Sequence, residues 1–109
     1  MKLAHITISV KNLEKSVQFY RDIIGLPIRR RFESGDSEIV FLGESETEIE
    51  LVYNRNRADI SFGMYISLGF EVASLTDTIA FLVENGIAVG DVMQPNPNVR
   101  FAFAAARTD

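Results

Sequence analysis

A faint internal duplication limits what this sequence can fold into more than any other feature. The stretch from His5 to Asp22, HITISVKNLEKSVQFYRD, lies on Ser67 to Glu84, SLGFEVASLTDTIAFLVE, without a gap. Val10 falls on Val72, Leu13 on Leu75 and Phe19 on Phe81, while Val17 meets Ile79; one deletion later Gly25 meets Gly86. Three identities carry little weight alone. What matters is that both copies read as the same order of elements: strand, short turn, amphipathic helix, glycine stop, strand.

In the first copy Ile6, Ile8 and Val10 alternate with His5, Thr7 and Ser9, the period of two of a half-buried strand. Asn12 is a candidate N-cap for a helix with Leu13, Val17, Tyr20 and Ile24 on one side. Gly25 offers the left-handed residue that ends it, and Pro27 forbids continuation. Strands are expected over Ile28 to Phe32, Glu38 to Leu42 and Thr47 to Tyr53, separated by turns at 33–36 and 43–45. In the second copy Ile66, Leu68, Phe70 and Val72 form the apolar side of a strand, with Ser67, Gly69 and Glu71 opposite. Ser74-Leu75-Thr76-Asp77 starts a helix whose buried side is Ile79, Leu82 and Val83. Ile87 to Met93 and Val99 to Ala104 then read as strands around a turn at 95–98. The repeating unit is βαβββ, present once in full and once nearly so. The expected fold class is α+β, a single domain with module 1 at 1–53, a polar linker at 54–59 and module 2 at 60–109.

Composition removes several function classes. The chain has 109 residues, the size of one domain, and no cysteine, which excludes disulfide scaffolds, zinc–thiolate clusters and thiol nucleophiles. A net charge of -4 offers no footprint for nucleic acid. No apolar run approaches the roughly 20 residues of a membrane helix. Met1-Lys2 leads into an alternating strand pattern in place of a signal-peptide core, so a cytoplasmic protein is expected.

His5 is the only histidine. It sits on the polar side of its strand beside Thr7 and Ser9. In Glu48-Ile49-Glu50-Leu51-Val52-Tyr53 the apolar side is Ile49, Leu51 and Tyr53, so Glu48 and Glu50 point the other way. A strand carboxylate flanked by core residues needs solvent or a partner. If both strands share a sheet, imidazole and carboxylate converge on one face, a pair that suits Zn²⁺, Ni²⁺, Fe²⁺ or Mn²⁺. Set against that, a lone strand histidine is more often a hydrogen-bonded surface residue, and a strand carboxylate is more often solvated. Of Arg29-Arg30-Arg31, alternation puts Arg29 and Arg31 on one side, where they can bind an anionic substrate or serve only as exposed charges. The aromatics Tyr20, Phe32, Phe41, Phe62, Phe70, Phe81, Phe101 and Phe103 are expected mostly in the core by their periodicity.

With these residues in view, the opening LAHITISVKNLEKSVQFYRDIIGLPI resembles the first module of the vicinal oxygen chelate superfamily, the glyoxalase/bleomycin-resistance/dioxygenase group. The pattern runs from the strand histidine through N/D-L-x-x-S/A-x-x-F-Y to L/I-G-L. FLGESETEIELV is similar to the strand that bears a metal-ligand glutamate, and ISLGFEVASLTDTIAFLVENGIAV is similar to the second module. The likeness covers the whole chain, with lactoylglutathione lyase-like proteins nearest. It implies two modules whose mixed sheets curl into a cup, usually completed by a homodimer. It also implies a divalent metal that chelates two neighbouring oxygens of a small substrate and stabilises an enediolate-like anion.

Four protein ligands are typical of that group, two from each module. Carried over, the first module supplies His5 and Glu50, with Glu50 as ligand and base, and Thr7 and Ser67 line the substrate site. The second histidine falls on Ser67, a poor ligand, and the counterpart of Glu50 falls at 111 or 112, beyond Asp109. Two functions follow from different classes: metal-assisted lyase or isomerase chemistry on a vicinal-oxygen substrate, or metal-free small-molecule binding of the drug-sequestering kind. A pure interaction module without a ligand is the third. The second module also lacks its last strand, so an incomplete domain with an open sheet edge is expected, and an open edge invites pairing into a dimer.

Overall fold

The computed structural model describes residues 1–57 and 67–105. The expectations for Ala58, Asp59, Phe62, Ile66 and residues 106–109 concern positions outside the described residues. The chain forms two compact units, whose described parts are 1–57 and 67–105, and the architecture is α+β.

In the first unit the elements follow the expected order. Strand β1 (His5–Ser9) leads to helix α1 (Leu13–Gln18), which continues as a π-helical turn (Phe19–Ile23). Strands β2 (Ile28–Ser34), β3 (Ser37–Leu42) and β4 (Glu48–Asn54) follow. They make one mixed sheet in the order β1-β4-β3-β2, with β1 parallel to β4 and the other pairs antiparallel. A parallel pair needs a long crossover, and α1 with the β2–β3 hairpin provides it.

The capping expectations hold. The Asn12 side chain accepts a hydrogen bond from the Lys15 backbone N–H at 3.1 Å, and Gly25 takes φ 91° after the helix end. The π-helical turn was not legible from a 3.6 period. Its wider winding lets the consecutive residues Phe19 and Tyr20 both turn inward, 5% and 3% exposed, with rings edge to face. Val10, Leu13, Val17, Val40, Leu42, Ile49 and Leu51 complete the core between α1 and one side of the sheet. At the β2–β3 hairpin, Gly35 takes φ 59° at the first of two loop residues, which a side chain tolerates poorly. Arg55 and Asn56 are hydrogen-bonded to Asp36 of that loop, so the polar segment after β4 is tied back onto the first unit.

Removing the Asn12 cap tests the local part of this account. Asn12→Ala is expected to cost about 1 kcal/mol in urea unfolding, against roughly ±0.5 kcal/mol for Lys11→Ala next to it.

The second unit departs further from expectation. Helix α2 (Leu75–Glu84) forms as read, with the Ser74 side chain accepting from the Asp77 N–H at 3.2 Å and Gly86 at φ 75°. Its half-buried side is Leu75, Thr78, Ile79 and Leu82, whereas Val83 is 60% exposed and does not join it. Residues 67–72 form no strand. Among the described residues no strand pairs with them, so their alternation has no ladder to join. The expected strand at Ile87–Met93 reduces to one bridge between Val89 and Ala104. Strands β5 (Met93–Asn96) and β6 (Val99–Phe101) form a hairpin turning at Pro97-Asn98, within the expected 95–98 turn.

The aromatics are not mostly core. Tyr20 and Phe41 are buried, but Phe32, Phe70, Phe81 and Phe103 are between 42% and 61% exposed. No described helix is long and apolar enough to cross a membrane.

Candidate functional site

Alternation along β1 and β4 sends Ile6, Ile8, Ile49 and Leu51 toward α1, which leaves the opposite side of the sheet to polar residues. The parallel register pairs His5 with Glu48 and Thr7 with Glu50, and paired residues share a side. Two elements 43 residues apart in sequence thereby place His5, Thr7, Glu48 and Glu50 on one surface.

Within that surface His5 and Glu50 come together. The imidazole Nε2 lies 3.6 Å from Glu50 Oε1, with the His5 side chain 45% exposed and that of Glu50 15%. The same Oε1 accepts a 2.5 Å hydrogen bond from the Thr7 hydroxyl, the short contact expected when a hydroxyl donates to a charged carboxylate. Thr7 therefore fixes the Glu50 rotamer. On the other side of β4, Phe41 is the register partner of Glu50, and the His5 ring packs edge-on against Phe41 at 5.5 Å between centroids. Imidazole and carboxylate are both held by neighbours, one by a ring and one by a hydroxyl.

The donor chemistry suits a divalent metal. Bonds of roughly 2.0–2.2 Å to an imidazole nitrogen and a carboxylate oxygen place the two donors about 3–3.5 Å apart when they occupy neighbouring positions, close to the separation found here. Among the described residues no group of three or more His, Cys, Asp or Glu gathers around one point. Of the described residues, His5 and Glu50 are the pair whose donors would fit such an ion. Ser67, the expected match to His5, lies in the second unit, exposed and outside any strand.

The arginines are arranged differently from the expected alternation. The β2–β3 register shifts between Ile28 and Arg30, a β-bulge with Arg29 as the additional residue. A bulge turns two successive side chains toward one side. Arg29 Nε accordingly lies 3.6 Å from Glu48 Oε2, and Arg30 Nη2 donates to Glu48 Oε1 at 3.1 Å. Arg31 does not share their side: it pairs with Glu14 of α1 and with Glu38 of β3. The Glu14 hydrogen bond, ahead of the weaker help from Glu38, pushes the Arg31 pKa above its ordinary value. Arg30 is the site-facing residue that sequence reasoning missed, and no local signal announces the bulge.

Further along the same side, Ser9, Ser37, Val52, Asn54 and Arg57 line a shallow depression of ≈ 110 Å³. Ser9 and Val52 each follow Thr7 and Glu50 by two residues, so the depression continues the surface that carries His5 and Glu50 without including them.

Comparison with known proteins bears on the family and the fold. The model of the Glyoxalase/Bleomycin resistance protein/Dioxygenase superfamily matches residues 2–109. A probable lactoylglutathione lyase of Synechocystis is 40% identical over 80 residues, 65% of this chain and 61% of that protein. The lactoylglutathione lyase of Haemophilus influenzae is 37% identical over 60 residues, 50% of this chain and 44% of that protein. The matched stretches thus span about half the length of these curated relatives. Among solved structures, the trypanothione-dependent glyoxalase I of Leishmania major superposes with a TM-score of 0.80 at 20% identity, over 99% of this chain and 81% of that one; at that identity the likeness is one of fold.

Proposed function

This chain belongs to the glyoxalase/bleomycin resistance protein/dioxygenase superfamily, and from that premise we propose that it is a lactoylglutathione lyase-related protein performing metal-assisted chemistry on a small substrate with two neighbouring oxygens. The observation that carries the reading is the His5–Glu50 pair, 3.6 Å apart on the polar side of the sheet. His5 and Glu50 would hold the ion, which would supply a Lewis acid for the paired oxygens and their negative charge. Zn²⁺, Ni²⁺, Fe²⁺ and Mn²⁺ all accept this nitrogen-and-oxygen donor set.

The chain's own residues do the rest. Thr7 holds Glu50 in one orientation through its hydroxyl, leaving the carboxylate fit to accept a proton from carbon beside a carbonyl. Phe41 buttresses the imidazole. Arg29 offers charge to an anionic part of the substrate. The depression lined by Ser9, Ser37, Val52, Asn54 and Arg57 has room for the body of a small molecule. Arg31, engaged with Glu14 and Glu38 on the opposite side of the sheet, takes no part in substrate binding. We further propose that the 109 residues act as one domain, paired as a homodimer in the cytoplasm.

Metal uptake tests the reading. His5→Ala leaves one donor where there were two, so affinity for Zn²⁺ or Mn²⁺ should fall by more than the roughly 10–100-fold that losing an outer-shell partner costs. Calorimetric titration with elemental analysis reads this directly. Unchanged metal content in the variant, or ligand affinity indifferent to a chelator, points instead to the metal-free binding protein.

A further inference from the structure

Arg29 and Arg30 differ from the neighbouring Arg31 in how their charge is met. Arg31 faces two carboxylates, Glu14 and Glu38, and is fully compensated. Arg29 and Arg30 share one carboxylate, Glu48, so the trio keeps one net positive charge. Among the described residues Arg30 donates one hydrogen bond to that carboxylate, and Arg29 meets it only at 3.6 Å. Each guanidinium has five N–H donors, so most of their capacity faces outward; the side chains are 49% and 56% exposed, against 17% for Glu48.

Position matters as much as charge. The Arg30 guanidinium carbon sits 4.1 Å above the Phe41 ring, the same ring that His5 meets edge-on. Phe32 stacks on Phe41 at 6.2 Å, giving the cluster an apolar floor. The Glu48 Oε2 atom is shielded and accepts no hydrogen bond, and the carboxylate forms ion pairs with both arginines. The bulge at Arg29 is what brings two adjacent strand residues to one side, and such bulges recur where a side chain is re-aimed at a functional site.

We propose that Arg29 and Arg30, tethered by Glu48, form a receptor for an oxyanion, so that the natural substrate carries a carboxylate or phosphate-type group beside the oxygens that meet His5 and Glu50. The inference rests on the proposed function for where the substrate lies, but its charge argument stands without a metal. A planar fork matches either oxyanion with two parallel hydrogen bonds, and Arg30 is already pre-oriented by Phe41 and Glu48.

The test uses the whole chain, free of metal, in low-salt buffer. Inorganic phosphate and acetate are titrated in separate arms while the arginine Nε–Hε resonances are followed by NMR; the tighter arm names the oxyanion class. Arg30→Ala should weaken that arm at least tenfold, Arg30→Lys should weaken it by less, and Arg31→Ala should leave it within twofold. Glu48→Gln keeps an acceptor for Arg30 and removes the competing charge, so binding should tighten several-fold. The proposal is overturned if neither anion moves the Arg29 and Arg30 resonances, if Arg31→Ala weakens binding as much as Arg30→Ala, or if Glu48→Gln fails to tighten it. With no metal added, failure here leaves the His5–Glu50 reading standing, and failed metal uptake leaves this receptor standing.

Discussion

If Glu50 is the base of the proposed lyase chemistry, replacing it with glutamine is expected to lower turnover by roughly 10²–10⁴-fold, the usual contribution of a positioned base. A lactoylglutathione lyase and a probable one among the relatives make a glutathione adduct the first substrate to assay. The substitution is nearly isosteric, and the amide oxygen still accepts from the Thr7 hydroxyl that orients Glu50. What disappears is the negative charge and the ability to take a proton. Stability should hold or rise slightly, since the Glu50 side chain is only 15% exposed and a shielded charge costs more than a shielded amide. Assays at saturating metal, with metal content measured on the same sample, separate lost basicity from lost coordination. Turnover reduced less than tenfold with metal retained would remove Glu50 from the role of base.

The largest effect on folding is expected at Leu51. It is 0% exposed in the middle of β4, paired with Ile8 on one side and Val40 on the other. Truncation to alanine removes apolar surface and leaves a cavity that strands held on both edges cannot close, so Leu51→Ala should cost about 2–5 kcal/mol. Against a total of roughly 5–15 kcal/mol for a small domain, that removes a large share of the stability. Urea unfolding followed by circular dichroism measures it. Leu3→Ala, at a position 65% exposed, should stay within about 0.5 kcal/mol. The metal pair should vanish along with β4, since His5 and Glu50 meet only through the β1–β4 ladder.

Much of this was legible from local chemistry. A period of two sorted β1 and β4 into apolar and polar sides, and side chains capable of capping placed the starts of α1 and α2 at Asn12 and Ser74. Gly25 and Gly86 ended those helices because a left-handed residue is a local requirement. The polar side of β1 and β4 drew attention to His5 and Glu50, and the motif around them marked the family that the whole-chain match then established.

Other features follow from partners distant in sequence. Residues 67–72 have the alternation of a strand yet form none, because a strand exists only where a second strand offers a ladder. Phe32 has a core-like position in its strand, but it lies on the side of the sheet away from α1 and stays 44% exposed. The arginine run shows the same limit: alternation pairs Arg29 with Arg31, while the β2–β3 register inserts a bulge and pairs Arg29 with Arg30.

The sequence by itself determined the faces, caps and stops, each set within a few residues by backbone sterics and side-chain polarity. It also singled out His5 and Glu50 as the candidate metal-holding pair. Only the tertiary structure decided that His5 and Glu50 lie 3.6 Å apart, that Thr7 orients the carboxylate and that Arg30 faces the site in place of Arg31. The physical reason is register. Distances between strands depend on which hydrogen-bonding partners align, and alignment is a property of the whole sheet that no single strand's pattern contains.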